Sequence, residues 1–423
     1  MLSSDHFHAL LSGADLFFSD ERYRVVGQGI RRRRPAFALL FRAVSVLSTF
    51  RAGNFALVAV VILFYGAFRQ PKAGPLFQYG MSDNNVRSFR RINAAAGRAE
   101  WDDLINGLPI SIWTRVQLVM DLRRATLAAG ALTRLRSEDP FSHTQLVICA
   151  AALLLYASQD FRDVRLVCIA SDHSPINMAL LHVARLRGLK ICYLQHAPVA
   201  EHFPPLDYDL SVLFDGKSAG VYDRAAQRRN TKTRGRIVAL PPFDTEYVPI
   251  SLGPPPFRIG ICLSYLFNAE GVTDLVQQME HQPAVSEVKL RRHPRCTSDI
   301  AALLDASKVA EESSGSVANF VDACDIVLVP NSGVAIEALH LGKPTCYTPN
   351  VDFISYDYYG FVRAGVLPIF SPEILDDPAK LVAFFGEDWR RRYSDYDPTA
   401  EVSLSESQRR AGKAFLALLA DRT

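Results

Sequence analysis

The sequence predicts an α/β protein built from two Rossmann-like domains that face each other across a cleft. Three observations carry that expectation. Short β-branched apolar runs give way to polar or glycine-rich turns and then to helical periodicity at 164–187, 211–227, 258–281 and 326–341. That is the alternation from which parallel sheets are built. Pro241, Pro242, Pro249, Pro254, Pro255 and Pro256 then crowd, with Gly253, into sixteen residues, the composition of a stiff linker between folded units. Finally, 423 residues exceed what one compact core encloses and suit two domains of about 150–200 residues.

The chain divides on this reading into a basic and apolar N-terminal segment, 1–70, a first Rossmann-like domain, 71–245, and a second, 246–423. Hydrophobic residues at 49% and charged residues at 22% exclude disorder, and a net charge of +3 gives no global attraction to nucleic acid. The basicity is local. Residues 1–51 hold eight arginines, four of them at Arg31–Arg34, against Asp5, Asp15, Asp20 and Glu21. Seven cysteines are scattered with no C-x-x-C pair. They read as small core residues in a reducing, cytoplasmic setting, an expectation that the acidic first thirty residues share, since they do not resemble a signal peptide.

The seventeen residues 52–68 carry no charge and lie between RRRR and the pair Arg69 and Lys72. A short transmembrane helix, an interfacial helix drawn to anionic lipid and a buried core element all suit such a stretch. Residues 76–79 read as a first strand, followed by Ser82 or Asp83 as the cap of a helix through Ala96. Glu100, Asp102 and Asp103 form an acidic cluster, either solvated or the seat of a catalytic carboxylate. Residues 145–156 (QLVICAAALLLY) are long and apolar enough for a core helix.

The segment 164–194 is a βαβ unit. Ser174 caps its helix, Pro175 takes the first helical position and Gly188 closes it, so the two strands should be parallel neighbours. Polar residues follow each strand where open sheets hold ligands: Ser171, Asp172 and His173 after the first, Gln195 and His196 after the second. Asp172 and His173 are candidate general bases, and His196 a proton carrier or phosphate contact. Asp215, Gly216 and Lys217 follow the strand at 211–214, and Lys217 is placed to meet an anion.

Beyond the linker come a strand at 258–263, a helix at 272–281, a strand at 288–291 and then His293–Pro294. Short helices are expected at 299–304, with Ser298 as cap, and at 316–324. The stretch 325–344, DIVLVPNSGVAIEALHLGKP, reads as strand, turn and helix, with Asn331, Ser332 and Gly333 in the turn and Gly342 with Pro344 ending the helix. Such a turn presents backbone N–H groups and a helix start to an anion.

Taken together, LQHA at 194–197, LRRHPR at 290–295 and PNSGVAIEALHLGKP at 330–344 resemble the GT-B glycosyltransferases of bacterial surface (capsular and O-antigen) polysaccharide synthesis. The likeness is greatest to capsule Kdo transferases and bacterial sialyltransferases, with CDP-glycerol transferases more distant. The resemblance spans about 165–350 and implies a GT-B fold with a C-terminal helix crossing back. It also implies a nucleotide-sugar donor, most simply a CMP-activated acidic sugar, and a polysaccharide or lipid-linked glycan acceptor, with no metal and no cofactor. On this likeness His293, stiffened by Pro294, contacts the donor phosphate and protonates the leaving group. Ser332, Gly333 and Val334 form the phosphate turn with Asn331 beside them, Glu337 holds the ribose, and Arg292 adds positive charge. The catalytic pair implied is His293 with Asp172 as base, and His173, Gln195, His196 and Lys217 line the opposite side of the cleft. The acidic pair followed by Gly that marks the sialyltransferase base is absent, and the nearest candidates for it are Asp102 with Asp103, or Asp172. The expected location is the cytoplasm, peripherally at the inner membrane face. Since EALHLGKP is shared with non-hydrolysing sugar-nucleotide epimerases, that reading stays open, as do a polymer phosphotransferase and a non-catalytic assembly scaffold.

Overall fold

The computed structural model describes residues 2–19, 35–135, 139–201, 203–265, 267–294, 296, 300–304, 306–313 and 315–421. Arg31–Arg34, Arg295, Ser298 and residue 299 therefore lie outside the described residues.

The first domain is a five-stranded parallel sheet of β1 (Leu76–Tyr79), β2 (Leu166–Ile169), β3 (Lys190–Leu194), β4 (Asp207–Leu213) and β5 (Arg234–Ala239), in that spatial order. The helices that position it are α1 (Ser4–Phe18), α2 (Pro35–Leu47), α3 (Arg51–Phe64), α4 (Asp83–Ala95), α5 (Ile112–Met120), α6 (Leu122–Arg134), α7 (Pro140–Ser158), α8 (Pro175–Leu186) and α9 (Gly216–Arg228). Local chemistry sets several of the boundaries. Ser82 Oγ accepts the Asn85 N–H at the start of α4, Ser174 Oγ accepts that of Asn177 at the start of α8, and Asp215 does the same for Ser218 in α9. Gly188, at φ +68°, ends α8 in the left-handed region that a side chain would resist.

Strand order in this sheet never reverses. Its crossover helices α7, α8 and α9 gather on one face, where α1, α3 and α6 back them in a continuous apolar core. The opposite face is covered by α4 and by a helix from the far end of the chain, α13 (Leu404–Ala420), which packs on α4, β4 and β5. The C-terminal helix thus crosses back, as the GT-B resemblance implies.

The second domain holds β6 (Phe257–Cys262), β7 (Val285–Arg291), β8 (Val309–Glu311), β9 (Ile326–Val329) and β10 (Thr345–Tyr347), joined through α10 (Ala269–His281), α11 (Val317–Asp322) and α12 (Val334–His340). Its order is β8-β7-β6-β9-β10, all parallel. The reversal between β6 and β9 is a topological switch point, where the following loops part and leave a crevice. Together the two parallel sheets with their covering helices make a GT-B fold. Within the expected helix at 299–304 the structure has one 3₁₀ turn, Ala301–Leu303.

The stretch 52–68 does not form a spanning helix. α3 has fourteen residues, about 21 Å at ~1.5 Å per residue, short of a hydrocarbon core of ~30 Å. One side is built into the domain: Val58 and Ile62 are buried, and Asn54 meets His143 Nε2 at 2.9 Å and donates to Thr133 Oγ1 at 3.1 Å. Among the described residues, α7 alone is long and apolar enough to cross a membrane, and it is the buried core helix of the first domain.

Candidate functional site

At the carboxyl edge of the first sheet, β2 ends in a histidine held by a buried carboxylate. Asp172 is 2% exposed, its Oδ1 lies 2.7 Å from His173 Nδ1, and its Oδ2 accepts the Tyr222 hydroxyl at 2.8 Å. Tyr222 in turn sits 2.8 Å from the Tyr193 hydroxyl. Burial acts to raise the Asp172 carboxyl, but the bonds from His173 and Tyr222, with His196 nearby, outweigh it and hold the group below the usual carboxylate range. An ionised Asp172 can only accept, so His173 Nδ1 is the donor of that bond, and in the neutral ring Nε2 bears the lone pair. The ring stacks on Phe203 at 4.7 Å between centroids and lies 6.4 Å from His196 and 5.7 Å from Phe17. About a quarter of the His173 side chain is exposed, against 1% for that of Asp172.

This geometry corrects the assignment of Asp172 as base. The carboxylate is buried and bonded to His173, whose side chain has the exposure that a base requires. Gln195 is likewise structural. Its Nε2 donates to the Ala197 carbonyl and to Ser218 Oγ, and its Oε1 accepts the Phe214 N–H, so its capacity is spent on tying β3 to the α9 turn. Lys217 faces the segment that follows the second sheet. Its N–H bonds the Asp395 carbonyl and its ammonium lies 5.7 Å from the Tyr396 ring centre, joining α9 to the second domain. Asp102 is engaged by Asn93 Nδ2 at 2.9 Å and by Arg90, so the acidic cluster braces α4.

On the second sheet the switch point gathers Ser264 and Tyr265 after β6, His293 and Pro294 after β7 and Ser332 after β9. His293 is exposed, its ring 6.0 Å from that of Tyr265. Ser332 Oγ accepts the Val334 N–H at 3.2 Å, and the Ser332 and Gly333 carbonyls take the N–H groups of Ala335, Ile336 and Glu337. The first turn of α12 is therefore closed on itself, and the Val334 N–H, expected in the phosphate turn, is taken by Ser332 Oγ. Glu337 is largely buried; loss of solvent raises its carboxyl, and the facing Arg87 and Arg291 oppose that rise. Arg87 belongs to the first domain, so Glu337 lies between basic groups from both halves of the molecule.

Two expected ligands here are occupied. Asn331 donates to the carbonyls of Ile354 and Tyr356 and accepts the Tyr358 N–H at 2.8 Å. It pins the segment 352–358 beside the turn, while Asp352 accepts from Ser264 at 2.9 Å. Arg292 Nε bonds Glu311 at 2.6 Å and its N–H bonds Ser313 Oγ, which directs it to β8 and away from the crevice. Among the described residues no three His, Cys, Asp or Glu side chains cluster as a metal site.

The two edges meet at Pro198 and Gly333. A Cβ on Gly333 would lie 3.0 Å from Pro198 Cδ, so the loop after β3, which carries His196, abuts the turn after β9, which carries Ser332. Arg91 of α4 spans the same junction by donating to the Phe243 carbonyl at 3.2 Å and lying 3.7 Å from Asp244. Sequence reasoning missed Tyr222, Phe203, Pro198, Arg87 and Arg91. Tyr222 reaches Asp172 across fifty positions, and a helix-face tyrosine in α9 gives no local sign of that. The two arginines lie one turn apart on α4, a pattern that an exposed face shows equally.

No family model and no curated sequence matches the chain. Solved structures similar to it include the calicheamicin glycosyltransferase CalG4, at 14% identity, TM-score 0.49, over 83% of this chain and 99% of that one. LpCGTa in complex with UDP overlaps at 10% identity and TM-score 0.49, over 83% and 100% of the two chains. The glycosyltransferase SnogD from Streptomyces nogalater does so at 15% identity and TM-score 0.42, over 82% and 100%. Overlaps of this size assign no substrate.

Proposed function

We propose that the protein is a glycosyltransferase that moves a sugar from a nucleotide-activated donor held by the second domain onto an acceptor hydroxyl presented by the first. The observation that carries this reading is the placement of an oriented imidazole, His173 on buried Asp172, on the sheet edge that abuts the phosphate turn of the other domain. His173 Nε2 takes the acceptor proton as its oxygen attacks the anomeric carbon, and the bond from that carbon to the donor phosphate breaks. His293 and the backbone N–H groups at Ser332 and Gly333 receive the charge that develops on the leaving phosphate. Glu337 is the acceptor for the nucleotide ribose.

The donor is a CMP-activated acidic sugar, Kdo or sialic-acid-like, and the acceptor a surface polysaccharide or lipid-linked glycan. The LRRHPR and PNSGVAIEALHLGKP motifs support that choice. The shared EALHLGKP segment favours, as second reading, an epimerase acting on the donor alone.

A thermal-shift screen with CMP, CDP, UDP and GDP identifies the nucleotide, because a ligand that binds only the folded state raises Tm. With the matching sugar nucleotide, His173→Ala and His293→Ala are each expected to lose transfer by about 10²–10⁴-fold, the exposed His293→Ala with the wild-type melting curve and His173→Ala with a lowered Tm, because it leaves buried Asp172 one partner short. Full transfer in both variants would sink the assignment. Conversion of the donor without any acceptor would establish the epimerase.

A further inference from the structure

The helical layer outside the first domain turns a second apolar face to solvent. α3 buries Val58 and Ile62 inward, yet its outward stripe is Ala52, Ala56, Val60 and Phe64, all exposed and none of them polar. A helix covering a soluble domain carries polar side chains on that stripe. The neighbours repeat the pattern. α2 exposes Leu39 and Val46 while Phe41 and Val44 are buried, and α5 exposes Trp113 and Met120 while Leu118 is buried. Trp113 is 75% exposed, Phe64 78% and Met120 72%, values that large apolar side chains rarely reach singly and here reach together. α3 packs on α2, α5 and α6, and α5 packs on α6, so the stripes belong to one layer.

Charge sets the kind of partner. Residues 35–82 and 104–135, which hold α2, α3, α5 and α6, contain eight Lys or Arg and one acidic residue, Asp121. That Asp121 is paired with Arg124 at 3.1 Å. Arg42, Arg51 and Arg123 are exposed among the apolar stripes. The whole chain sums to only +3, so the rest of the molecule taken together is net acidic. An apolar stripe flanked by arginine, with an exposed tryptophan, fits the headgroup boundary of a bilayer, where indole and guanidinium groups sit between water and acyl chains. A protein partner would have to match the apolar side chains and the arginines at fixed positions. A fluid anionic surface matches both without fixed geometry.

We propose that α2, α3 and α5 form a docking face for an anionic phospholipid surface, on which the chain lies without spanning it. The test uses the full chain and vesicles of phosphatidylcholine, alone or mixed with phosphatidylglycerol. Flotation with the mixed vesicles only, weakened by salt, is the expected result, with a blue shift of tryptophan emission on binding. The double variant Phe64→Ser/Trp113→Ser, both positions being exposed, is expected to keep the wild-type Tm and to lose at least about tenfold in vesicle affinity. Arg42→Gln/Arg123→Gln should lose affinity for the mixed vesicles with the same Tm. The proposal is overturned if the wild-type chain floats with neither vesicle, or if the serine variant floats as well as wild type. It is overturned equally if sedimentation shows a dimer that the serine variant disrupts while no vesicle is bound, since the face would then pair two copies.

Discussion

Asp172 follows β2 and Asp215 follows β4 on the first sheet's carboxyl edge, and both are buried, yet their surroundings drive them in opposite directions. Asp172 receives an imidazole and a phenol hydroxyl, and stays ionised. Asp215 receives the Ser218 N–H at 2.6 Å, but burial, reinforced by Asp397 and Asp395 of the second domain, pushes its carboxyl up to about 7. A folded-state value above the unfolded one means that the folded chain takes up a proton, so the contribution to stability is fullest below about pH 4 and is lost as pH rises toward 7. Asp215→Asn keeps a side-chain oxygen for the helix cap and removes the titration. Its advantage over wild type in chemical denaturation should therefore grow by about 2–3 kcal/mol between about pH 5 and pH 8. A difference that stays constant over that window would show that Asp215 is ionised throughout.

Elements formed by local chemistry were legible in the sequence, and those that depend on distant partners were not. β1 and β9 occupy the residues expected of them, because each is a short apolar run with turn formers behind it; α8 starts at the serine expected to cap it, α4 at Ser82, the first of two expected caps, and α11 lies within the helix expected at 316–324. The layer α1–α3 was unreadable beyond its apolarity, since α3 takes its inward face from α6 and α7, which come much later in the chain. In the candidate site the sequence picked out the turns but not the allegiance of their side chains. Asn331, Gln195 and Arg292 stand where ligands were expected and spend their hydrogen bonds on the scaffold, which depends on loops at 352–358, 214–218 and 311–313. The Gly333 turn belongs to the same class, since its constraint comes from Pro198. Gly333→Ala needs no unusual backbone, because φ is −65°, but its methyl would press on Pro198 and part the two edges by a few tenths of an ångström. A Tm close to wild type with about a tenfold fall in transfer is expected, since catalysis across a cleft is sensitive to such displacements. Unchanged transfer would mean that the edges separate freely in the working enzyme.

The far end of the chain completes the first domain, and the sheet's topology explains why. Crossovers in the sequential order β1-β2-β3-β4-β5 place their helices on one face, so the other face is covered locally by α4 and the turn that follows it. α13 fills the remainder. Gly412 approaches so closely that a Cβ there would meet the Ala95 carbonyl of α4 at 1.9 Å, and Phe415 is fully buried with its ring 6.0 Å from that of Trp101. The chain therefore passes between domains twice, once through the proline-rich linker and once on the way to α13. Removing the Phe415 ring leaves a cavity in the core of the first domain, though the residue follows the whole second domain in sequence. Phe415→Ala should cost about 3–5 kcal/mol. Hydrogen exchange localises that loss: amides of α4, β4 and β5 should lose protection while β6, β7 and β9 keep theirs. If protection fell instead in the second sheet, α13 would be part of that domain's stability, and its contact with the first would be a surface contact that opens without cost.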